Sequence, residues 1–144
     1  MTAPFIRAAA IRYAWAFLGL PYQWGGDDPI RGFDCSGFVI EALQGVGVLP
    51  HGFDTTADGL YRKFRGNETA APGAGCLVFW FGADGKAKHV EMLVNDLHVI
   101  GASGGGSATT SREAAAEHNA FIKMRPLGYR GGNYKIVDPF MEKQ

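Results

Sequence analysis

The octapeptide Gly32-Phe33-Asp34-Cys35-Ser36-Gly37-Phe38-Val39 constrains this chain more than any other stretch. It follows a segment rich in Gly, Asp and Pro (residues 25–32) and opens an apolar run. In that run Phe38, Val39, Ala42, Leu43 and Val46 recur at spacings of one, three and four, the pattern of one buried helical face. Asp34 is a good N-cap residue, so Cys35 is expected in the first helical turn. A cysteine there meets unpaired backbone N–H groups and the positive end of the helix dipole, and both favour the nucleophilic thiolate. Glycines on either side would let a substrate approach the sulfur. Taken alone, a cysteine at a helix start is more often a small packed core residue. Lys88-His89-Val90-Glu91-Met92-Leu93-Val94 changes that balance by placing a histidine at the head of a strand-like run. A lone Cys with a His distant in sequence is the form taken by a nucleophile and its base.

The chain has 144 residues, enough for one core, and a single domain over 1–144 is expected. Formal net charge is zero, with no basic patch and no acidic tail. Nucleic acid is therefore not expected as a partner, and a polymeric substrate would not be held by charge alone. No run is long and apolar enough to span a membrane. Residues 8–20 faintly resemble a signal sequence, but Arg12 interrupts them and helical periodicity explains them better, so no export signal is expected. Cys76 heads Cys76-Leu77-Val78-Phe79-Trp80-Phe81, which reads as a buried strand, so a packed thiol is expected there rather than a disulfide to Cys35. No Cys or second His stands at metal-ligand spacing near His89, so neither a metal nor an organic cofactor is expected.

Taken in order, Pro4 opens a packing helix that runs to about Leu18 and is stopped by Gly19 and Pro21. Tyr22 and Trp24, in Pro21-Tyr22-Gln23-Trp24-Gly25-Gly26, are either core aromatics or the wall of a groove beside Cys35, and both readings stay open. The Cys35 helix is expected to end at 45–47, and a short helix bearing Leu60, Tyr61 and Phe64 to start within 54–58. Strands are expected at 77–81, 89–94, 97–102 and 120–124, with a hairpin loop at 82–86. Strand alternation puts His89, Glu91 and Leu93 on one face. Thr110 with Glu113 offers a capping box for a short helix through Ala116. Gly104-Gly105-Gly106-Ser107 reads as a flexible loop, and it lacks the Lys-Ser/Thr of a phosphate loop. His51, His98 and His118 read as surface residues, and Asp138-Pro139-Phe140 as the end of the fold. Helices come first, with the nucleophile at a helix N-terminus, and an antiparallel β-sheet carrying the base follows. This is an α+β layout with papain-like logic, Cys on a central helix and His on a facing strand.

The chain resembles the NlpC-type cell-wall cysteine endopeptidases. The resemblance is carried by Pro21-Tyr22-Gln23-Trp24-Gly25-Gly26 and Gly32-Phe33-Asp34-Cys35-Ser36-Gly37-Phe38-Val39, in that order and spacing. Leu49-Pro50, Pro72-Gly73 with Leu77-Val78-Phe79, and His89-Val90 extend it over about residues 10–103. It implies a papain-like fold and hydrolysis of peptidoglycan stem peptides, usually between D-γ-glutamyl and a diamino acid, diaminopimelate or Lys. By that analogy Cys35 is the nucleophile, His89 the general base, and Asp34, Ser36 and Tyr22 hold the substrate's free amine. Asp34 could equally serve only as the helix cap.

The chain also departs from the family. A third polar residue, often His, usually orients the base from the next strand, and here Gly101 stands at the matching place. Glu91 occupies a position where the family usually has Gly, and Ser103 is a further candidate, so the third member is left unassigned. Ala74-Gly75-Cys76 replaces a single Asp after Pro-Gly, and residues from Gly104 onward have no firm match. Two other readings remain open: an N-acetylmuramoyl-L-alanine amidase or acyltransferase on the same Cys–His framework, and a wall-binding or phage tail assembly module without turnover. A phage tail or lysis system is the expected carrier to the wall.

Overall fold

A computed structural model describes residues 3–28, 32–105 and 108–141 of the chain. Gly106 and Ser107 of the expected flexible loop lie outside the described residues. The first helix, α1 (Ala3–Trp15), gives way to turns through Gly19, whose φ of 88° is open to glycine without strain. Two short strands, β1 (Asp27–Asp28) and β2 (Gly32–Phe33), pair antiparallel in the segment that reads as a loop in sequence.

Helix α2 (Cys35–Gly45) starts where the sequence places it. The Asp34 side chain accepts from the Gly37 N–H at 2.7 Å, and the buried residues Phe38, Val39, Ala42 and Leu43 fall on the expected face. Helix α3 (Ala57–Phe64) is capped by Thr56, which accepts from the Gly59 N–H, and a 3₁₀ turn at Arg65–Asn67 follows it.

The strands are β3 (Leu77–Phe81), β4 (Ala87–Leu93), β5 (His98–Ser103), β6 (Phe121–Pro126) and β7 (Tyr134–Val137). Helix α4 (Arg112–Glu117) lies between β5 and β6, and a 3₁₀ turn at Leu127–Tyr129 follows β6. The cap of α4 is Ser111, which accepts from the Ala114 N–H at 3.1 Å, and not Thr110, which stands one residue too early to reach that donor. Strand β7 is absent from the sequence reading. Tyr134 and Lys135 are exposed, so only Ile136 and Val137 carry a burial signal.

The five strands form one antiparallel sheet in the order β6-β5-β4-β3-β7. The larger core lies between the helices and one sheet face, where Leu77, Phe79, Val90, Met92 and Ile100 meet Phe38, Val39, Leu43 and Leu60. Val78, Trp80, Leu93, Val99 and Ile136 form a smaller cluster with Cys76, a free buried thiol as expected. Alternation along β3 and β4 puts these residues on the opposite face of the sheet. His89 belongs to that second face, its ring 5.4 Å from the Trp80 ring.

Candidate active site

Two glycine-containing segments build the start of α2 by packing backbone on backbone. Phe33 N–H donates to the Pro21 carbonyl at 3.3 Å, Gln23 N–H to the Phe33 carbonyl at 3.0 Å, and Asp34 N–H to the Gly26 carbonyl at 3.0 Å. A Cβ on Gly37 would collide with the Gly26 carbonyl oxygen and lie 2.9 Å from Asp34 Oδ1. The glycines therefore allow the two segments to approach each other, which corrects the expectation that they open the sulfur to substrate. Gly32, at φ 117° and against the Pro21 carbonyl, is needed for the same reason.

Asp34 is engaged locally. Its Oδ1 accepts from Gly37 N–H and from the Ser36 hydroxyl at 3.4 Å, and the Gly25 N–H also donates to the carboxylate. Burial nonetheless raises its pKa above the ordinary carboxylate value, because those hydrogen bonds offset only part of the desolvation. Ser36 is buried with it.

Cys35 is half-buried at the first position of α2. Burial pushes its thiol up to about 11, with Asp34 and Glu91 adding negative charge, while hydrogen bonds from the Val90 and Ser36 backbone N–H groups pull the other way. The helix-start geometry thus does not by itself yield a thiolate, contrary to the sequence expectation. Two N–H groups do not outweigh desolvation and two carboxylates, so a base must take the proton.

His89 precedes Val90 in β4, with its ring on the Trp80 side of the sheet. Strands β4 and β5 pair at Met92 with Ile100 and Leu93 with Val99, and not at Val90. The Val90 N–H is therefore left for the Cys35 sulfur rather than for a strand partner. His89 is 6% exposed, and its Nε2 lies 3.0 Å from Oε2 of Glu91, which is fully buried. The same Oε2 accepts a short hydrogen bond from the Tyr129 hydroxyl, which also bonds the Ser103 hydroxyl. Ser103, an unassigned candidate for the third member, thus bonds Tyr129. Burial, then the Glu91 charge, raises the Tyr129 phenol to about 12, so it stays an O–H donor.

A cleft of about 630 Å³ opens over the sulfur. Tyr22, Asp34, Cys35 and Ser36 line it together, which brings the expected binding residues to the nucleophile. Tyr22 is buried yet reaches the cleft, so it is core and wall at once, and burial holds its phenol well above the usual range. Trp24, 52% exposed, lines the rim, while Asp54, Asp58, Lys86 and Lys88 supply charge of both signs. Among the described residues no group of three or more His, Cys, Asp or Glu could hold a metal ion.

The sequence reading misses the contribution of the chain after Gly104. Gly105 packs against the Tyr22 ring so closely that a Cβ would overlap it. The Thr109 carbonyl accepts from the Trp24 N–H at 2.7 Å, and Tyr129 reaches Glu91 from the far end of β6. No local motif marks a tyrosine in Leu127-Gly128-Tyr129 as part of a site. His51 and His118 are exposed as expected, and His98 Nδ1 lies 3.1 Å from Asn95 Oδ1 at the hairpin turn.

Helices on one face of an antiparallel sheet, with a cysteine at the N-terminus of the central helix, define a papain-like α+β fold. The sequence profile of the NlpC/P60 family matches residues 19–125, and the chain belongs to that family. It is 33% identical over 125 residues to the peptidoglycan endopeptidase RipB of Mycobacterium tuberculosis, covering 78% of this chain and 50% of RipB. It is 33% identical over 98 residues to the bifunctional muramidase/DL-endopeptidase CwlT of Bacillus subtilis, covering 67% of this chain and 29% of CwlT. The solved structure of the peptidoglycan hydrolase RipB from Mycobacterium tuberculosis superposes with a TM-score of 0.69 at 24% identity, over 97% of this chain and 67% of that one. The chain spans about half the length of the RipB sequence it matches.

Proposed function

We infer that the protein is a cysteine peptidase that hydrolyses peptidoglycan stem peptides, at the bond between D-γ-glutamyl and a diamino acid. The observation that carries this reading is the placement of the Cys35 sulfur in the wall of the cleft and at the N–H of Val90, the residue that follows His89 in β4. The named activities of RipB and CwlT support the substrate class, and the DL-endopeptidase name of CwlT supports the bond. A phage tail or lysis system as carrier, and the single-domain reading of 1–144, rest on the sequence alone.

The mechanism follows from the groups present. Glu91 accepts from His89 Nε2–H, which leaves Nδ1 unprotonated in the neutral ring and ready to take the Cys35 proton. The thiolate attacks the γ-glutamyl carbonyl carbon, forming the C–S bond and moving the carbonyl pair onto oxygen. The Cys35 N–H, in the first helical turn and without an intrahelical acceptor, is placed to meet that oxyanion. Collapse breaks the C–N bond as His89 returns the proton to the leaving amine. Water then attacks the thioester with His89 as base, releasing the acid and the thiol. Tyr22, Asp34 and Ser36 form the pocket for the stem's amino end, a carboxylate being suited to an ammonium.

The test is mass spectrometry of defined muropeptides, with and without a free L-Ala amine and bearing diaminopimelate or Lys, after incubation with the parent and with Cys35→Ala. Cleavage after D-γ-glutamate by the parent alone is expected. Release of N-acetylmuramic acid from L-Ala would reassign the protein as an amidase. No cleavage by a folded parent would leave the wall-binding reading.

A further inference from the structure

Glu91 is a fully buried carboxylate beside an apolar and aromatic cluster; its Oε2 meets His89 and Tyr129, while its Oε1 has no hydrogen-bond partner among the described residues. Burial of a carboxylate is costly unless its hydrogen bonds are specific and complete, so the position demands an explanation. Strand alternation puts Glu91 on the His89 side of β4, two residues on, and a glutamate is long enough to reach back to the ring. The space it fills is provided by Gly101 of β5. A Cβ there would overlap Glu91 Cγ and lie 2.8 Å from Oε1. Continuing the Met92–Ile100 register would set Gly101 opposite Glu91. The glycine and the glutamate are thus one spatial unit: neither side chain can be enlarged without displacing the other.

We propose that Glu91 is the positioning residue for His89 and Tyr129 the positioning residue for Glu91, the polar group that orients the base having been relocated from β5 to β4. This rests on the reading of Cys35 and His89 as nucleophile and base. Glu91 fixes the Nε2–H tautomer and stabilises the imidazolium formed when Cys35 gives up its proton. Tyr129 donates to the same oxygen, and its own oxygen is held by Ser103, so the carboxylate cannot swing away from the ring. The Arg125 guanidinium, 5.1 Å over the Tyr129 ring, adds positive charge beside the phenol that donates to Glu91. Among the described residues, the titratable or charged groups near His89 include Lys88 and Glu91 on its own strand and Tyr129 and Arg125 beyond Glu91, with Cys35 of α2 at the N–H of the next residue, Val90. Arg130 stacks 5.9 Å over Trp80, the uncharged β3 residue that flanks the ring.

The experiment combines stem-peptide kinetics with the pH profile of Cys35 alkylation in the parent, Glu91→Gln, Tyr129→Phe and the double variant. Glu91→Gln is expected to lower kcat by about 10²-fold with KM little changed, since it disturbs the tautomer and not the cleft. It should also move the midpoint of Cys35 alkylation to higher pH, because the lost support of the imidazolium outweighs the relief of the weaker direct repulsion between Glu91 and the thiolate. Tyr129→Phe should lower kcat by about threefold to tenfold alone and add nothing in the Glu91→Gln background, because it acts only through the carboxylate. A folded Glu91→Gln protein with the parent's kcat and alkylation profile would overturn the proposal. Full additivity of the two substitutions would overturn the role of Tyr129. If Glu91→Gln does not fold, Tyr129→Phe carries the test, and an unchanged alkylation profile would count against it. Alkylation needs no substrate, so a parent that cleaves no stem peptide would sink the functional reading while leaving the His89–Glu91 coupling measurable.

Discussion

At Cys35 two physical effects oppose each other, and burial prevails. The helix start supplies N–H donors to the sulfur, yet desolvation and the charges of Asp34 and Glu91 push the thiol up to about 11 in the absence of transfer to His89. The consequence for stability has a definite sign. An unfolded thiol ionises near 9.0 and the folded one near 11, so between those values the unfolded state has already lost a proton that the folded state keeps. The contribution is whole below pH 9 and is lost as pH rises to about 11, amounting to about 2–3 kcal/mol at most. Denaturation of His89→Ala and of the double variant His89→Ala/Cys35→Ser at pH 8 and at pH 11 should show a steeper alkaline loss in the protein that keeps the cysteine. Parallel losses would contradict the burial argument. Glu91 is the residue where sequence logic came nearest to the third member without reaching it. Its face was legible from strand alternation, but the space created by Gly101 and the hydroxyl of Tyr129 are long-range facts that no local pattern encodes.

Helix α2 was legible because three signals agreed: a good cap, apolar spacing, and glycines at its end. Strands β3, β4 and β5 were legible because they are largely buried and rich in apolar residues, so even their boundaries stand within two residues of the expected ones. Strand β7 was not, since half of its residues face solvent and its partner β3 precedes it by more than fifty positions. The two-residue strands β1 and β2 were hidden by their glycines, which serve backbone packing rather than a regular pattern. The cap of α2 makes a separate prediction, because Asp34 has two roles that substitution can divide. Asp34→Asn retains an oxygen for the Gly37 N–H and should melt within about 0.5 kcal/mol of the parent, whereas Asp34→Ala should lose about 1 kcal/mol. If the carboxylate also holds the stem's amine, Asp34→Asn raises KM for free-amine stems by about threefold to tenfold. Unchanged KM would leave Asp34 as a cap alone.

On the scale of the whole molecule, the chain's two ends are joined, and the site depends on both. Arg7 of α1 pairs with Asp138 just after β7, donates to the Ala74 carbonyl, and stacks 5.0 Å over Phe140. Arg7→Ala should cost about 1–3 kcal/mol, seen as a fall of several degrees in Tm, through lost charged hydrogen bonds and lost packing. A Tm within about 1 °C of the parent would show that the Arg7 contacts contribute nothing and that the segment after β7 is held by the β7–β3 ladder. The C-terminal third also supports the cleft wall, through Gly105 on Tyr22 and the Thr109 carbonyl on Trp24, and meets Glu91 through Tyr129. All of this converges on one claim, that His89 supplies the ionisation that burial denies to Cys35. The direct measurement is the rate of iodoacetamide labelling at Cys35 from pH 5 to 11, read by peptide mass spectrometry in the parent and in His89→Ala, with buried Cys76 as the internal control. The account predicts labelling of the parent at neutral pH and, without His89, a profile whose midpoint moves up toward about 11. Superimposable profiles in the two proteins would contradict it.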